Sequence, residues 1–302
     1  MQYIVPTSIG DSMLVSSSVP ETDYGEWFAG AVYAADQYVI RSSMHSVYKR
    51  VVAGNTTTPP EQDAINWVRV GPTNRWAMFD RVVGTKTAAT APALDQDAVI
   101  TVTLKPGLVR GLALLDLDVD GLTVEMVASG ETVYRRDLDP LGSLEDVDNW
   151  WDYFFDAIKR RNLLVLTDLP PYADAEITLT FRGRGAISIG SCIVGRAYSL
   201  GNVLVNASTG ITDYSVKSRD EFGAVTLAER PFNKRMSLPI ILDTAQVDAF
   251  VSRLSAVRAT PVVWIASTTK SSLVIYGFYK DWSITIPGRV KSTLSMEIEG
   301  LV

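Results

Sequence analysis

The 302-residue chain contains one cysteine, Cys192, and one histidine, His45, and each scarcity removes a class of chemistry. A lone cysteine excludes an internal disulfide and any multi-cysteine metal cluster. Its setting, the apolar run AISIGSCIVG, predicts a buried and inert thiol. With a single histidine, zinc hydrolases and most acid–base mechanisms lack their usual residue. A serine nucleophile served by His45 also fails: Ser46 would point to the opposite strand face, and Ser43 lies a full pleat repeat away. No G-x-S-x-G string occurs. No apolar run approaches the roughly 18 residues of a membrane span, so membrane insertion is not expected. The opening MQYIVPTSIGDSM lacks the basic and apolar regions of a signal peptide, which predicts synthesis in a cytoplasm. Long basic runs are absent too. The 28 Lys and Arg are spread among 34 acidic residues, never more than three in a row, for a net charge of -6, so nothing resembles a phosphate-neutralising stripe and nucleic acid is not expected as a partner.

What is present is an ordinary globular composition, 47% apolar and 21% charged, in a chain long enough for two or three domains. From residue 90 onward, short β-branched runs alternate with turn residues: ALDQDAVITVTL, GLVRGLALLDLDV, LTVEMVASG, ETVYRRDL, NLLVLTDL and AEITLTFRG. They predict a central antiparallel sandwich of the jelly-roll type over 81–190. One helix is expected inside it, capped by Ser143 and carrying Trp150, Trp151, Phe154 and Ile158 on one side. The glycines at 183, 185, 190, 195 and 201 do not fit a dinucleotide fingerprint and point instead to close backbone approach or bulges. Over 191–302, six strands and one helix predict a split β-barrel. Asp243 is the expected helix cap, with Gln246 in capping-box position and Val247, Phe250, Val251, Leu254 and Val257 on the buried face. The fold class is therefore mainly β, with a small aromatic-rich module over 1–80 in front of the two larger units.

That small module centres on residues 26–67, EWFAGAVYAADQYVIRSSMHSVYKRVVAGNTTTPPEQDAINW. Trp27, Tyr33, Tyr38, Tyr48 and Trp67 are spaced much as in chitin-binding modules of the 5/12 type, which the segment resembles, although His45 stands where that family has a turn glycine. The resemblance implies carbohydrate binding, because a flat ring packs on the apolar C–H face of a sugar while its polar tip stays wet. Trp27, Tyr33, Tyr48 and Trp67 are the residues expected to stack on a glycan or to frame the site. In so short a segment the same rings could equally form the core.

The passage 189–302, with IGSCIVGRAYSLGN, KSRDEFGAVTLAER, LDTAQVDAFVSRL, TPVVWIAS and LVIYGFYKDWSITIPGRVKSTLSMEIEGL in that order, resembles tail-tip and distal-tail (baseplate) proteins of long-tailed bacteriophages. The string VGPTNRWAMFD at 70–80 is similar to a recurrent phage tail element. This resemblance implies a structural, non-enzymatic virion protein made in the host cytoplasm. It would form a homo-oligomeric ring, hexamer or trimer against tail-tube and hub proteins, and would touch a host-surface glycan. The competing reading is a polysaccharide-active enzyme with an accessory sugar-binding module.

Two further constellations gather carboxylates. Asp116, Asp118, Asp120 and Gly121 begin like a calcium loop, but the position for the bidentate glutamate is Val127, so a solvated hairpin edge is expected and no metal or other cofactor. Asp137, Asp139, Glu145, Asp146 and Asp148 could supply a carboxylate pair for glycoside cleavage, a matter decided by spacing in three dimensions.

Overall fold

A computed structural model describes residues 1–93, 95–139, 151, 161–219, 221, 223, 225–268 and 270–301. It is mainly β, with its largest sheet curled into a half-barrel. The helix expected after Ser143 lies outside the described residues, apart from Trp151 and Arg161.

The chain opens with β1 (Gln2–Pro6) and β2 (Leu14–Ser17), and neither belongs to the small module. That module is an insertion that follows them, built from β3 (Val32–Tyr33), β4 (Tyr38–Arg41), β5 (Ser46–Arg50), β6 (Gly54–Asn55) and β7 (Trp67–Pro72). β4, β5 and β7 form one antiparallel sheet, and β3 pairs with β6 in a second.

The sandwich then follows as β8 (Thr87–Thr90), β9 (Asp97–Leu104), β10 (Gly111–Asp118), β11 (Gly121–Ala128), β12 (Glu131–Leu138), β13 (Leu163–Leu166), β14 (Glu176–Arg184) and β15 (Ala186–Ser199). One layer is the five-stranded sheet β12–β11–β14–β9–β2, so the amino-terminal β2 closes its edge. Strict alternation in β9, β11 and β14 puts Ile100, Val102, Leu104, Val124, Met126, Leu179 and Phe181 inward, as period-2 patterning requires. They meet Leu112, Leu114, Ile189 and Val194 from β10 and β15 of the other layer.

Halfway along β10 and β15 the inward face changes. Leu112 and Leu114 point into the sandwich core, but so does Leu117, and across the ladder Ile187 and Ile189 give way to Cys192 and Val194. Between them Asp116 adopts a left-handed conformation, φ 53°, opposite Gly190. A Cβ on Gly190 would stand 2.7 Å from the Asp116 Cβ, so glycine is what lets the two strands kink together. Beyond the kink, the side chains released from the sandwich core, Ala113 and Ile193, face a third apolar cluster with Ile4, Val263, Ile265, Val274 and Tyr276.

The remaining strands are β16 (Asn202–Val203), β17 (Ser208–Asp213), β18 (Val216–Arg219), β19 (Val225–Ala228), β20 (Phe232–Asp243), β21 (Val262–Ile265), β22 (Val274–Thr285) and β23 (Lys291–Gly300), with one helix, α1 (Val247–Ala256), between β20 and β21. The curled sheet runs β13–β10–β15–β1–β21–β22–β23–β20–β16, with β17 also on β20 and β8 also on β15. Val247, Phe250, Leu254 and Val257 of the helical segment pack with Trp264, Leu238, Ile240, Leu294 and Met296, as the 3.6-residue pattern predicts. The cap differs from expectation. Asp243 ends β20, makes no cap bond, and instead accepts a 2.5 Å hydrogen bond from Lys291 Nζ across the sheet; a short 3₁₀ turn, Thr244–Gln246, leads into the helix.

The sequence boundaries at 80/81 and 190/191 do not mark the structural joints. β15 is one 14-residue strand that pairs with β8 and β10 on the sandwich side and with β1 towards its carboxyl end. β1 in turn pairs with β21, so the first residues of the chain join the sandwich to the carboxyl-terminal unit. Gly195 permits this junction: a side chain there would collide with the Val5 carbonyl oxygen.

Candidate functional site in the inserted module and its junction

The inserted module has its own small core, formed by Trp27, Tyr33, Val39, Tyr48 and Trp67. The four residues expected to meet a glycan are therefore brought together, but as packing: their exposures run from 2% to 7%. The stacking role is corrected to the framework one. Tyr33 meets Trp67 edge-on at 5.1 Å, and its hydroxyl accepts from Phe28 N–H at 2.7 Å while donating to Phe28 C=O at 3.1 Å. Arg41 lies over the Trp27 ring at 5.0 Å, and the buried Arg50 lies over Trp67 at 4.9 Å with Asp63 3.9 Å away. Arg41 also forms a two-point pair with Glu61, at 3.0 and 3.2 Å, which holds the Glu61 carboxyl below the usual carboxylate range. Burial raises the Tyr48 phenol. A segment this short stabilises itself by enclosing its largest rings, and that requirement outweighs display.

The rings that water does reach are others. Tyr24 is 45% exposed and Phe28 66% exposed, and Tyr24 stacks on Tyr38 with ring centroids 5.1 Å apart and planes 20° from parallel. Lys49, the cross-strand partner of Tyr38, places its Nζ 5.8 Å from that ring and 2.7 Å from Asp36. The sequence carries no signal that separates Tyr24 and Phe28 from the buried Trp27, which stands between them and, like them, lies on no strand.

His45 is more than a bland turn residue. It ends the 3₁₀ turn Ser42–Met44 in a left-handed conformation, φ 49°. Its Nε2 lies 2.9 Å from Asp11 and its Nδ1 3.0 Å from Glu21, while its ring stacks on Trp76 at 4.0 Å. Glu21 also accepts from Thr73 Oγ1 at 2.8 Å and faces Arg75 at 3.9 Å. Asp11 lies in the loop before β2, whereas Glu21, Thr73, Arg75 and Trp76 lie on the two chain passages between module and body. The cluster is thus a clasp at the neck of the insertion. Ser46, expected to be unserved by His45, bonds to the Met44 carbonyl and accepts from Arg69.

Elsewhere, the expected hairpin edge at Asp116, Asp118, Asp120 and Gly121 is instead a corner between two sheets, because β10 and β11 do not pair. Asp116 is held by Lys86 at 2.7 Å, and Asp120 accepts from Arg184 N–H at 2.7 Å. Among the described residues no group of three or more potential ligands could hold a metal ion. Of the carboxylates considered for glycoside cleavage, Asp137 accepts from Thr123 Oγ1 at 2.7 Å and from Arg135, contacts that keep it below the usual range. Glu145, Asp146 and Asp148 lie outside the described residues. Among the described residues no helix is long and apolar enough to cross a membrane. No protein-family model, curated protein or solved structure matches the chain.

Proposed function

We propose that this chain is a structural component of a bacteriophage tail tip or baseplate, a virion protein that assembles as a homo-oligomer at the end of the tail tube and turns its inserted module towards host-surface glycans. The observation that carries the reading is the β18–β19 ribbon beside the end of the curled sheet. Among the described residues its strands pair only with each other, and all eight strand residues are exposed, among them Val225 and Leu227, the latter at 69%. A two-stranded ribbon is at best marginally stable alone in water, and Val225 and Leu227, with Arg219 and Lys217 as cross-strand partners, form a mixed apolar and basic face that a neighbour can cover. Ile211 and Phe232, on the flanking β17 and β20, continue the exposed apolar surface. A subunit in a ring or stack covers such a surface with its neighbour or with a tube or hub protein, by main-chain pairing that also fixes orientation. The order of elements over 189–302 supports the same reading.

The test is the size of the full chain in solution and its presence in particles. Light scattering coupled to gel filtration is expected to give a defined oligomer, and the double change Val225→Asp with Leu227→Asp is expected to return it to monomer with its circular dichroism unchanged. A wild-type chain that stays monomeric at every concentration and is absent from virions overturns the proposal.

A further inference from the structure

The neck of the inserted module carries the chain's single histidine, and that residue faces a carboxylate at each ring nitrogen. We propose that His45 is a pH-sensitive latch: protonated, it ties the module to the body, and deprotonated, it lets the neck loosen.

The geometry prescribes the proton count. His45 Nδ1 lies 3.0 Å from Glu21 Oε1 and Nε2 lies 2.9 Å from Asp11 Oδ1. An ionised carboxylate only accepts, so both bonds exist together only when both ring nitrogens carry hydrogen, which is the imidazolium. The neutral ring keeps one N–H and turns a lone pair towards the other carboxylate. The two contacts are unequal. Asp11 is 77% exposed and water can replace its partner, whereas the Glu21 side chain is 10% exposed and depends on protein groups. Those groups are Thr73 Oγ1 at 2.8 Å, Arg75 at 3.9 Å and His45 itself. Among the described residues, deprotonation of His45 leaves Glu21 with Arg75 as its cationic partner, and Arg75 commits its Nε to the Val19 carbonyl at 2.7 Å.

Other charges nearby do not take over the role. Asp23, on the same passage as Glu21, accepts from Asn74 N–H at 2.8 Å, and Arg69 of β7 donates to Ser46 Oγ beside His45. The turn Ser42–Met44 brings no charge of its own. Asp11, Glu21 and Asp23 thus stand against two arginines and the histidine, and only the histidine side chain changes charge between about pH 5 and 8. The closed neck holds a proton that the open one gives up more readily, so closure is favoured as pH falls and lost as it rises.

The latch also joins the right pieces of chain. Asp11 lies in the loop before β2, Glu21 on the passage into the module, and His45 at the start of β5. Thr73 N–H, on the passage out, donates to the His45 carbonyl at 2.9 Å. Trp76, on which the His45 ring stacks at 4.0 Å, belongs to the sandwich core, so the histidine touches module and body at once.

The full chain labelled with ¹⁵N in histidine alone gives one pair of imidazole signals, whose shifts report the proton count. Both nitrogens should carry hydrogen at the acidic end, and one should lose it as the pH rises through the range of about 5 to 8. Protection of Thr73 N–H, corrected for the intrinsic pH dependence of exchange, should fall roughly fivefold over the same step, the difference between a charge-assisted and a neutral hydrogen bond. Amides of β9 and β14 should not follow. His45→Asn, which suits the left-handed backbone there, φ 49°, should show the lower protection at every pH. Glu21→Gln should keep the ring titration and lose the step in protection. The inference is overturned if the ring stays neutral or stays charged across that range, if Thr73 protection is level while the ring titrates, or if either variant retains the step.

Discussion

Tyr33 illustrates how a residue read as a binding group can be structural. Its hydroxyl bonds both the N–H and the C=O of Phe28; in Tyr33→Phe the carbonyl keeps Ala31 N–H at 3.4 Å, but the Phe28 N–H loses its partner. The expected cost is about 1 kcal/mol, seen in urea unfolding followed by tryptophan fluorescence. An unchanged midpoint would mean that water replaces the hydroxyl freely. Cys192 gives a second residue-scale outcome, because burial pushes its thiol up to about 12 from an ordinary value near 9. The folded state thus disfavours the thiolate. The corresponding stability is whole below pH 9 and declines as pH rises from there towards 12, where the unfolded chain ionises first. A thiol reagent at pH 8 should label Cys192 only as fast as the chain unfolds; rapid labelling of native protein would contradict its burial. At the neck, replacing His45 with Ala removes contacts to Asp11, Glu21 and Trp76 together. Faster hydrogen exchange at Thr73 N–H, which donates to the His45 carbonyl, is the expected sign, with exchange in β9 and β14 unchanged.

At the scale of elements, alternation and helical periodicity were legible. The runs that became β9, β11, β12, β14, β20, β22 and β23 stand in the sequence with their inward faces marked, and so does the apolar face of α1. Leu254→Ala on that face should cost 2–5 kcal/mol, roughly, since the side chain is fully buried against the sheet; a loss below about 1 kcal/mol would mean the helix is loosely docked. What periodicity could not supply was partnership. Nothing in QYIVP says that β1 bridges β15 and β21, because strand pairing between residues 2 and 265 is set by the whole fold and leaves no local pattern. The glycines did carry a trace of it, read from the sequence as close approach and found at Gly190 and Gly195. Gly195→Ala should therefore pry β1 from β15, with exchange at Ile4 accelerated well before that of Leu179. The candidate site was half legible for a related reason: the module's aromatics were visible, but which faces they bury depends on a core too small to be read from spacing.

The whole molecule is a body interrupted by an inserted module, with an unsupported ribbon beside the end of the curled sheet. β15, running through both halves of the body, and β1, fastened to it, make sandwich and carboxyl-terminal unit one continuous structure. The module, with a separate core and a clasped neck, is the part that can present a surface without disturbing that continuity. A ribbon with Val225 and Leu227 exposed is covered most simply by a neighbour, and the central claim is that the neighbour belongs to an assembly at the end of the tail tube. Electron microscopy of the purified full chain, side by side with sedimentation velocity, tests it most directly. Closed rings whose subunits touch through β17, β18 and β19 are expected; a lone 33.0 kDa particle at every concentration, with that ribbon still bare, would contradict the tail-tip assembly.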